Sequence, residues 1–343
     1  MVVATGRAWP GALELVVRLD DGAEVPALAH PPLVGTPVAG DTVLLNVAAL
    51  ALGLGTGGHA SVVALPDRLP SDVDGPGHLV KARYTPLQVV VQGADEQDAP
   101  THALLADGAP LPAPGPPVVV ADLHSSLPAV LAGLLAARPG TAAAYVMTDG
   151  GALPLWLSRT VAAVADRLVG TVTAGQAFGG DLEAVSVHSA LLAAVRVLGA
   201  EVVVVTQGPG NLGTGTPWGF SGVAAGEAVN AAAAVGGRPV AALRMSQADP
   251  RERHRGVSHH STTAYGRVAL APADVVVPRS SAALVDRAAF ARHRLVEVDD
   301  EDLLAVLAPW ASLLSTMGRG LADDPLAFVA GAAAGRHAAS LLD

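Results

Sequence analysis

Five short runs rich in valine and alanine constrain the fold of this chain more than any other feature. They are VVVA (118–121), AAYVM (143–147), GTVT (170–173), EVVVV (201–205) and PVAAL (239–243). Runs without polar alternation are typical of parallel strands that are buried on both faces of a sheet. The segments between them are long enough for helices that cross back over the sheet, so the pattern predicts a parallel, Rossmann-like α/β domain with right-handed crossovers.

The connecting segments carry helix signals of their own. Helices are predicted at 127–137, 154–168, 182–198 and 221–235. Pro154 suits a first helical position, and Asp181 and Ser221 are candidate N-caps. Gly199 and Gly236 are candidate C-terminal stops. Strands at 274–277 and 294–298 are predicted to extend the sheet, and a last helix at 325–342 closes the chain.

The first 65 residues follow a different pattern, with short β-rich segments at 12–20, 23–30 and 42–47 separated by turn signals. This pattern predicts a small β-barrel or sandwich module. Residues 66–77 (PDRLPSDVDGPG) concentrate Pro, Asp and Gly, as linkers do. The predicted organisation is a β module at 1–65, a linker at 66–77 and the Rossmann-like domain at 78–343, because 343 residues exceed the usual size of one core.

Composition argues against several classes of protein. Hydrophobic residues make up 51% of the chain, but no uninterrupted apolar run reaches the roughly 18 residues of a spanning helix. The net charge of −10 disfavours nucleic acid or an anionic membrane as the main partner. The absence of cysteine excludes disulfides, thiolate metal sites and a cysteine nucleophile. Because the first residues lack the apolar core of a signal peptide, we expect a cytoplasmic protein.

Polar or glycine-rich segments follow all five valine-rich runs. They are DLHSS (122–126), TDGG (148–151), GQAFGGD (175–181), TQGPGNLGTGT (206–216) and SQAD (246–249). Ligands of open parallel sheets bind beyond the carboxyl ends of the strands, so these segments predict a site at that edge. The candidate catalytic residues are Asp122, His124, Asp149 and Asp181, and the candidate substrate-binding amides are Gln176 and Gln207.

The loop at 208–215 has four glycines in eight residues before a predicted helix. Such a loop lets backbone N–H groups face an anion, and the helix N-terminus adds a favourable field. It lacks the Gly-Lys-Ser/Thr ending of a Walker loop and the spacing of the dinucleotide fingerprint, so a connection that only turns a corner stays an alternative. The candidate anion-binding residues here are Gly208, Gly210, Asn211, Gly213 and Thr214.

Asp122 and His124 have a spacing that metal-dependent phosphoesterases also use. The remaining motifs of such enzymes are absent from the sequence. A metal centre would need further ligands gathered by the fold from Asp149, Asp181, His188, His259 and His260. A divalent metal cofactor therefore stays open, with strand-end capping and loop hydrogen bonds as the alternative.

The densest polar segment, 249–261 (DPRERHRGVSHHS), holds three arginines and three histidines. It predicts an anion clamp formed by Arg251, Arg253 and Arg255, with His259 as a proton carrier. The alternative is a solvated basic loop, or one paired with acidic side chains of its own fold or of a second subunit in a homodimer. The single lysine, Lys81, is expected at the surface.

Seven strings of the sequence are long enough to compare with known families. They are GDTVLLNVAALALGLGTGG (40–58), GHLVKARYTPLQ (77–88), ADLHSSLPAVLAGL (121–134), YVMTDGGALP (145–154), QGPGNLGTGTPWGFSGVAAGEAVN (207–230), RERHRGVSHHS (251–261) and LSTMGRGL (314–321). They resemble an actinobacterial family described as a domain of unknown function. The resemblance spans nearly the whole chain and implies a cytosolic bacterial protein, but it brings no activity, cofactor or catalytic residue.

These observations predict a small-molecule enzyme of the transferase or hydrolase class. Its substrate is expected to be anionic, for example phosphorylated, and to bind at the carboxyl edge of the sheet. The alternative is a non-catalytic module in which the β domain recruits a protein partner and the α/β domain senses a metabolite. The two differ in whether polar groups converge within hydrogen-bond reach around one pocket.

Overall fold

The computed structural model describes residues 1–55, 57–70 and 75–343. Its N-terminal part is a mixed five-stranded sheet in the order β1-β2-β3-β5-β4, with β3 and β5 parallel and the other pairs antiparallel. The strands are β1 (Val2–Trp9), β2 (Ala12–Arg18), β3 (Glu24–Ala29), β4 (Leu44–Asn46) and β5 (Ala60–Ala64), with the one-turn helices α1 (Pro31–Val34) and α2 (Ala48–Ala51) between them. A separate N-terminal β module is therefore confirmed, whereas its closure into a barrel or sandwich stays a prediction.

Buried and exposed side chains alternate along β2, which explains why this sheet forms. Leu13, Leu15 and Val17 are buried on one face, while Val16 and Arg18 are exposed on the other. A sheet with one solvated face requires this period of two residues. The predicted domain and linker limits stay predictions, and residues 71–74 of the predicted linker lie outside the described residues.

A short hairpin and an eight-stranded parallel sheet follow. The hairpin strands are β6 (Leu79–Lys81) and β7 (Val89–Val91), and the one-turn helix α3 (His102–Leu105) comes next. The large sheet has the order β11-β10-β9-β12-β8-β13-β16-β17, and all neighbouring strands are parallel. Its strands are β8 (Pro117–Val120), β9 (Ala143–Thr148), β10 (Gly170–Ala174), β11 (Leu182–Ala184), β12 (Val202–Gln207), β13 (Arg238–Ala242), β16 (Asp274–Pro278) and β17 (Arg294–Val298). The predicted parallel α/β architecture is confirmed.

Helices cover both faces of the large sheet, which is why its central strands are apolar throughout. The helices are α4 (Leu127–Ala137), α5 (Arg159–Val164), α6 (Val187–Arg196), α7 (Ala224–Ala234), α8 (His259–Thr263), α9 (Leu303–Leu307) and α10 (Pro325–Ser340). Helices α6 and α7 pack on one face, and α4, α9 and α10 pack on the other. Two small antiparallel pairs complete the fold, β14 (Met245–Ser246) with β15 (Gly256–Val257) and β18 (Ser315–Thr316) with β19 (Arg319–Gly320). Among the described helices, none has the length and apolar character needed to cross a bilayer.

Helix starts differ from those predicted. Asp181 is not an N-cap: its Oδ2 accepts hydrogen bonds from Thr171 N and Oγ1, both at 2.8 Å, and β11 occupies the start of the predicted helix 182–198. Helix α6 begins later, behind Ser186. Ser221 likewise opens a 3-10 turn before α7, and the segment 154–168 is helical only in α5 and two flanking 3-10 turns. Short polar side chains bind nearby backbone in several ways, so sequence alone does not select the capping one.

We expect Ser186→Ala to lower the free energy of unfolding by about 1 kcal/mol. Ser186 Oγ accepts a hydrogen bond from Ser189 N at 3.2 Å, and Ser186 N donates to Ser189 Oγ at 3.3 Å, which together form a capping box. Urea denaturation measures the change. Ser312→Ala, on an exposed 3-10 turn, is the control and is expected to stay within about 0.5 kcal/mol of the parent. Equal stability of the two variants would contradict the cap.

Candidate functional site

The carboxyl ends of the neighbouring strands β8 and β13 bring a buried carboxylate, a guanidinium and an imidazole together. Asp122 follows β8, and Arg244 follows β13. Asp122 Oδ2 lies 3.3 Å from His260 Nδ1 and 3.8 Å from Arg244 Nη1, and the two nitrogens are 3.0 Å apart. Since Asp122 is only 2% exposed, its charge depends on these two partners for stabilisation.

Two more imidazoles lie beside His260. His254 ends a 3-10 turn, and His259 and His260 begin α8, whose N-cap Ser258 places its Oγ 2.7 Å from His254 Nδ1. The three ring centroids are 4.5 to 5.0 Å apart, and Phe220 stacks on His260 at 3.7 Å. We call these three residues the histidine cluster. His259 Nε2 is buried and has no hydrogen-bond partner among the described residues.

The surroundings keep two members of the cluster neutral. Burial, helped by Arg244, lowers the pKa of His254 to about 3. Burial also lowers the pKa of His259 to about 4, and the neighbouring His260 and Arg253 act in the same direction. Both rings are therefore neutral at pH 7 and carry one nitrogen lone pair each, which can accept a proton or bind a metal.

Asp249 organises the basic segment that carries the cluster. Its carboxylate accepts two hydrogen bonds from the Arg251 guanidinium, at 2.8 and 2.9 Å, and one from Arg319 at 3.0 Å. These arginines, Arg251 above all, hold the pKa of Asp249 far below its usual range. Arg255 Nε donates to the Asp249 carbonyl at 3.0 Å. Two of the three arginines predicted to form an anion clamp are thus bound within their own segment.

The third of these arginines, Arg253, is exposed and lies against the glycine-rich loop. Its Nη2 is 3.5 Å from the position that a Cβ of Gly215 would occupy. The loop also folds on itself: Gly208 N donates to Thr148 O at 3.1 Å, and Thr214 N donates to Gly219 O at 2.8 Å. These two N–H groups are therefore engaged within the protein. Asn211 Oδ1 accepts from the N–H of Gly222 at 3.1 Å and so ties the loop to the turn before α7.

Gln207 connects this loop to Asp122. Its Nε2 donates to Asp122 O at 2.8 Å and to Asn211 Oδ1 at 2.9 Å. Its Oε1 is buried without a hydrogen-bond partner among the described residues. A cavity of about 10 Å³, lined in part by Asp122, Thr206 and Gln207, lies beside it. That volume is on the order of one water molecule, so this cavity alone does not hold a substrate.

The remaining predicted residues lie apart from the histidine cluster. Asp149 accepts from Gln176 N at 2.8 Å, and Gln176 lines a cleft of about 560 Å³ formed with the β6–β7 hairpin. His124 is buried, 2.9 Å from Tyr145 Oη and 2.6 Å from Ser158 Oγ, and burial lowers its pKa to about 4. Asp181 binds Thr171 as described above. Asp181 precedes β11 and binds the second residue of β10, so it lies toward the amino ends of these strands and not at the carboxyl edge as predicted. The other polar strand ends divide between two places on the carboxyl edge.

Asp122 and His259 were predicted as site residues from the sequence, whereas Arg244 was not. The expectation that ligands bind beyond the carboxyl ends of parallel strands also applies to Arg244, which comes two residues after β13 ends at Ala242. His260 was predicted only as a candidate metal ligand and His254 only as part of a basic segment, since their convergence depends on the turn that β14 and β15 close. The stacking of Phe220 on His260 had no signal in the sequence.

Comparison with known proteins identifies one family. A family model described as "Protein of unknown function (DUF3866)" matches residues 26–335, which run from β3 to α10. The match covers the histidine cluster, the glycine-rich loop and the whole parallel sheet. No curated protein and no solved structure matches the chain.

Proposed function

We propose that this chain, which belongs to the DUF3866 family, is an enzyme of the transferase or hydrolase class that acts on an anionic small molecule. The observation that carries the proposal is the convergence of Asp122, Arg244 and the histidine cluster at the carboxyl edge of the sheet. Such groups on rigid elements at this edge are the usual basis of chemistry in open α/β sheets. We include a cytoplasmic location in the same proposal.

Positive charge at the site supports an anionic substrate. Arg244 and Arg253 both lie near enough to His259 to lower its pKa. Guanidinium groups bind phosphate and carboxylate groups in a fixed, often bidentate geometry. The turn that leads into α7 lies beside Asp122, since a Cβ on Gly222 would be 3.1 Å from Asp122 Cβ, and the positive end of α7 adds to the field.

The imidazoles support proton transfer. His259 is neutral and its buried Nε2 has no hydrogen-bond partner among the described residues, so its lone pair is free to accept a proton from a nucleophile, although a pKa of about 4 makes it a weak base at neutral pH. Arg244 Nη1 and Asp122 Oδ2 lie 3.0 and 3.3 Å from His260 Nδ1 and orient the ring of His260 next to His259. In a hydrolase the proton comes from water, and in a transferase it comes from the acceptor hydroxyl.

We expect the purified protein to hydrolyse at least one of p-nitrophenyl phosphate, bis(p-nitrophenyl) phosphate and acetyl phosphate. His259→Ala should lower kcat by about 10² to 10⁴, the usual contribution of a general base. Arg253→Ala and Gly213→Val should weaken binding of inorganic phosphate in calorimetry, because one removes a guanidinium and the other obstructs the loop. Steady-state rates and titration heats are the measurements.

The control is His188→Ala, an exposed histidine on α6, which should leave rates and affinity at parent values. Phosphate binding without turnover of any probe would replace the enzyme by a metabolite-sensing module. If the parent neither turns over a probe nor binds phosphate, the proposal fails.

A further inference from the structure

The histidine cluster has nearly the dimensions of a three-ligand metal site, with its ring nitrogens somewhat farther apart than bound ligands would be. One ring nitrogen from each of His254, His259 and His260 lies within 4.8 Å of the other two. Zinc–nitrogen bonds of about 2.0 to 2.1 Å in a tetrahedral site place ligand nitrogens about 3.4 Å apart. Small side-chain rotations close that difference, because all three residues belong to one short turn and the start of α8.

Hydrogen bonds orient two of the rings for such a site. Nδ1 of His254 faces Ser258 Oγ at 2.7 Å, and Nδ1 of His260 faces Asp122 Oδ2 at 3.3 Å. Metal binding by Nε2 of His260 requires the tautomer whose proton is on Nδ1 and is donated to Asp122. Arg244 Nη1, 3.0 Å from the same Nδ1, would then turn its N–H to Asp122 Oδ2, which lies 3.8 Å from it. In that arrangement Nε2 of both rings is available to a metal. A carboxylate or hydroxyl behind the opposite ring nitrogen is the usual arrangement around metal-bound histidine.

His259 supplies the second, independent observation. Its Nε2 is buried and lacks a hydrogen-bond partner among the described residues, although buried polar atoms are nearly always satisfied. A bound cation would satisfy this nitrogen.

The donor set selects the class of metal. Three imidazoles suit Zn²⁺, Co²⁺, Ni²⁺ or Cu²⁺, whereas Mg²⁺ and Ca²⁺ prefer oxygen ligands. Arg244 opposes a cation here, since its Nη1 lies 3.0 Å from His260 Nδ1, and Asp122 offsets that charge. Three neutral ligands leave a dication's charge uncompensated, so these surroundings favour an anion as its fourth ligand.

We propose that His254, His259 and His260 bind one divalent transition-metal ion of the zinc class, with Asp122 orienting His260 and a fourth position open to hydroxide or a substrate anion. This inference goes beyond the proposed function and does not require it. In the metal-bound protein His259 Nε2 would be a ligand and would not act as the general base. A metal at this position would activate a bound water and polarise a phosphoryl or acyl oxygen. The competing explanation is a packed aromatic cluster in which Phe220 and the imidazoles only fill space.

Zinc titration of the metal-stripped full chain tests the site. We expect one equivalent of Zn²⁺ per chain in calorimetry, a rise in melting temperature with Zn²⁺, and no response to Mg²⁺. His254→Ala and His259→Ala should each weaken zinc binding by at least about 100-fold. Asp122→Asn should weaken it by about 10- to 100-fold, the usual effect of removing a partner behind a metal ligand.

His188 was a candidate metal ligand in the sequence, but it is exposed on α6 and does not belong to the histidine cluster, so His188→Ala is the control and should bind zinc as the parent does. Circular dichroism shows whether each variant is folded. If His259→Ala does not fold, His254→Ala alone provides the test of zinc binding. Absence of zinc binding by the folded parent, or parent-like binding by a folded cluster variant, overturns the site. Zinc binding without turnover of any phosphate probe would reject the proposed enzyme and keep the metal site, and probe turnover by a folded parent that binds no zinc would do the reverse.

Discussion

Gly335→Ala should destabilise the protein by about 3 kcal/mol or more, although alanine is the better helix former by about 1 kcal/mol. Gly335 lies on α10 where this helix crosses α4, and a Cβ there would be 1.9 Å from Val130 O. Gly133 on α4 makes the reciprocal contact, with its Cβ position 1.9 Å from Ala332 O. Backbone atoms of two packed helices cannot yield alone, so the whole interface must separate.

Thermal and urea denaturation measure this loss, and a drop of about 3 kcal/mol corresponds to a melting temperature lower by about 4 °C for a chain of this size. Gly55→Ala is the control because a Cβ there meets no atom of the described residues within 4 Å, and it should leave stability nearly unchanged. If Gly335→Ala is as stable as the parent, the close crossing of α4 and α10 is not a constraint on this fold.

The strands of the large sheet could be predicted because their side chains must be apolar on both faces of the sheet. Val118, Val146 and Val204 are fully buried, and only a strand covered on both faces buries every residue. The strand order could not be predicted, because it depends on which face each helix covers. Strand β11 was hidden inside a predicted helix, since three residues carry too little pattern to separate it from the helical segment that follows.

His259 was predictable from the dense basic segment, and other residues of the site were predictable where they follow a strand directly. Asp122 is such a residue, and the structure places it beside His260. Arg251 and Arg253 look equivalent in sequence, but one is bound to Asp249 and the other is exposed, because tertiary contacts decide which charges are paired. The proposed roles of Asp122, His259 and Arg253 in catalysis and anion binding stay predictions.

The prediction that Lys81 lies at the surface is wrong, and tertiary contacts are again the reason. Its side chain is 2% exposed because the β6–β7 hairpin places it against β10 and β11. Its Nζ donates to Thr173 O at 2.9 Å, to Ala177 O at 2.8 Å and to Glu183 Oε2 at 2.7 Å. Each of the three N–H groups of the Lys81 ammonium therefore has an acceptor, and none of its hydrogen bonds is missing. Burial lowers the pKa of Lys81, and the Glu183 carboxylate opposes that change.

Lys81→Met should therefore lower the free energy of unfolding by about 3 to 5 kcal/mol, although methionine keeps most of the apolar stem. The change leaves the Glu183 carboxylate buried without its cation and two backbone carbonyls without a donor. Urea denaturation at pH 7 measures the loss. The matched control is Arg138→Met, which breaks a surface pair with Asp343 whose side chains are 40% and 81% exposed, and it should change stability by less than about 1 kcal/mol.

A double variant tests whether the uncompensated charge is the cause. Glu183 also accepts hydrogen bonds from Thr173 Oγ1 at 2.6 Å and Gly179 N at 2.7 Å, and glutamine in its place keeps an amide oxygen for one of them. Lys81→Met combined with Glu183→Gln should recover part of the loss, because no charge is left buried without a partner. If Lys81→Met is no less stable than Arg138→Met, the buried pair stabilises the fold no more than a surface pair does.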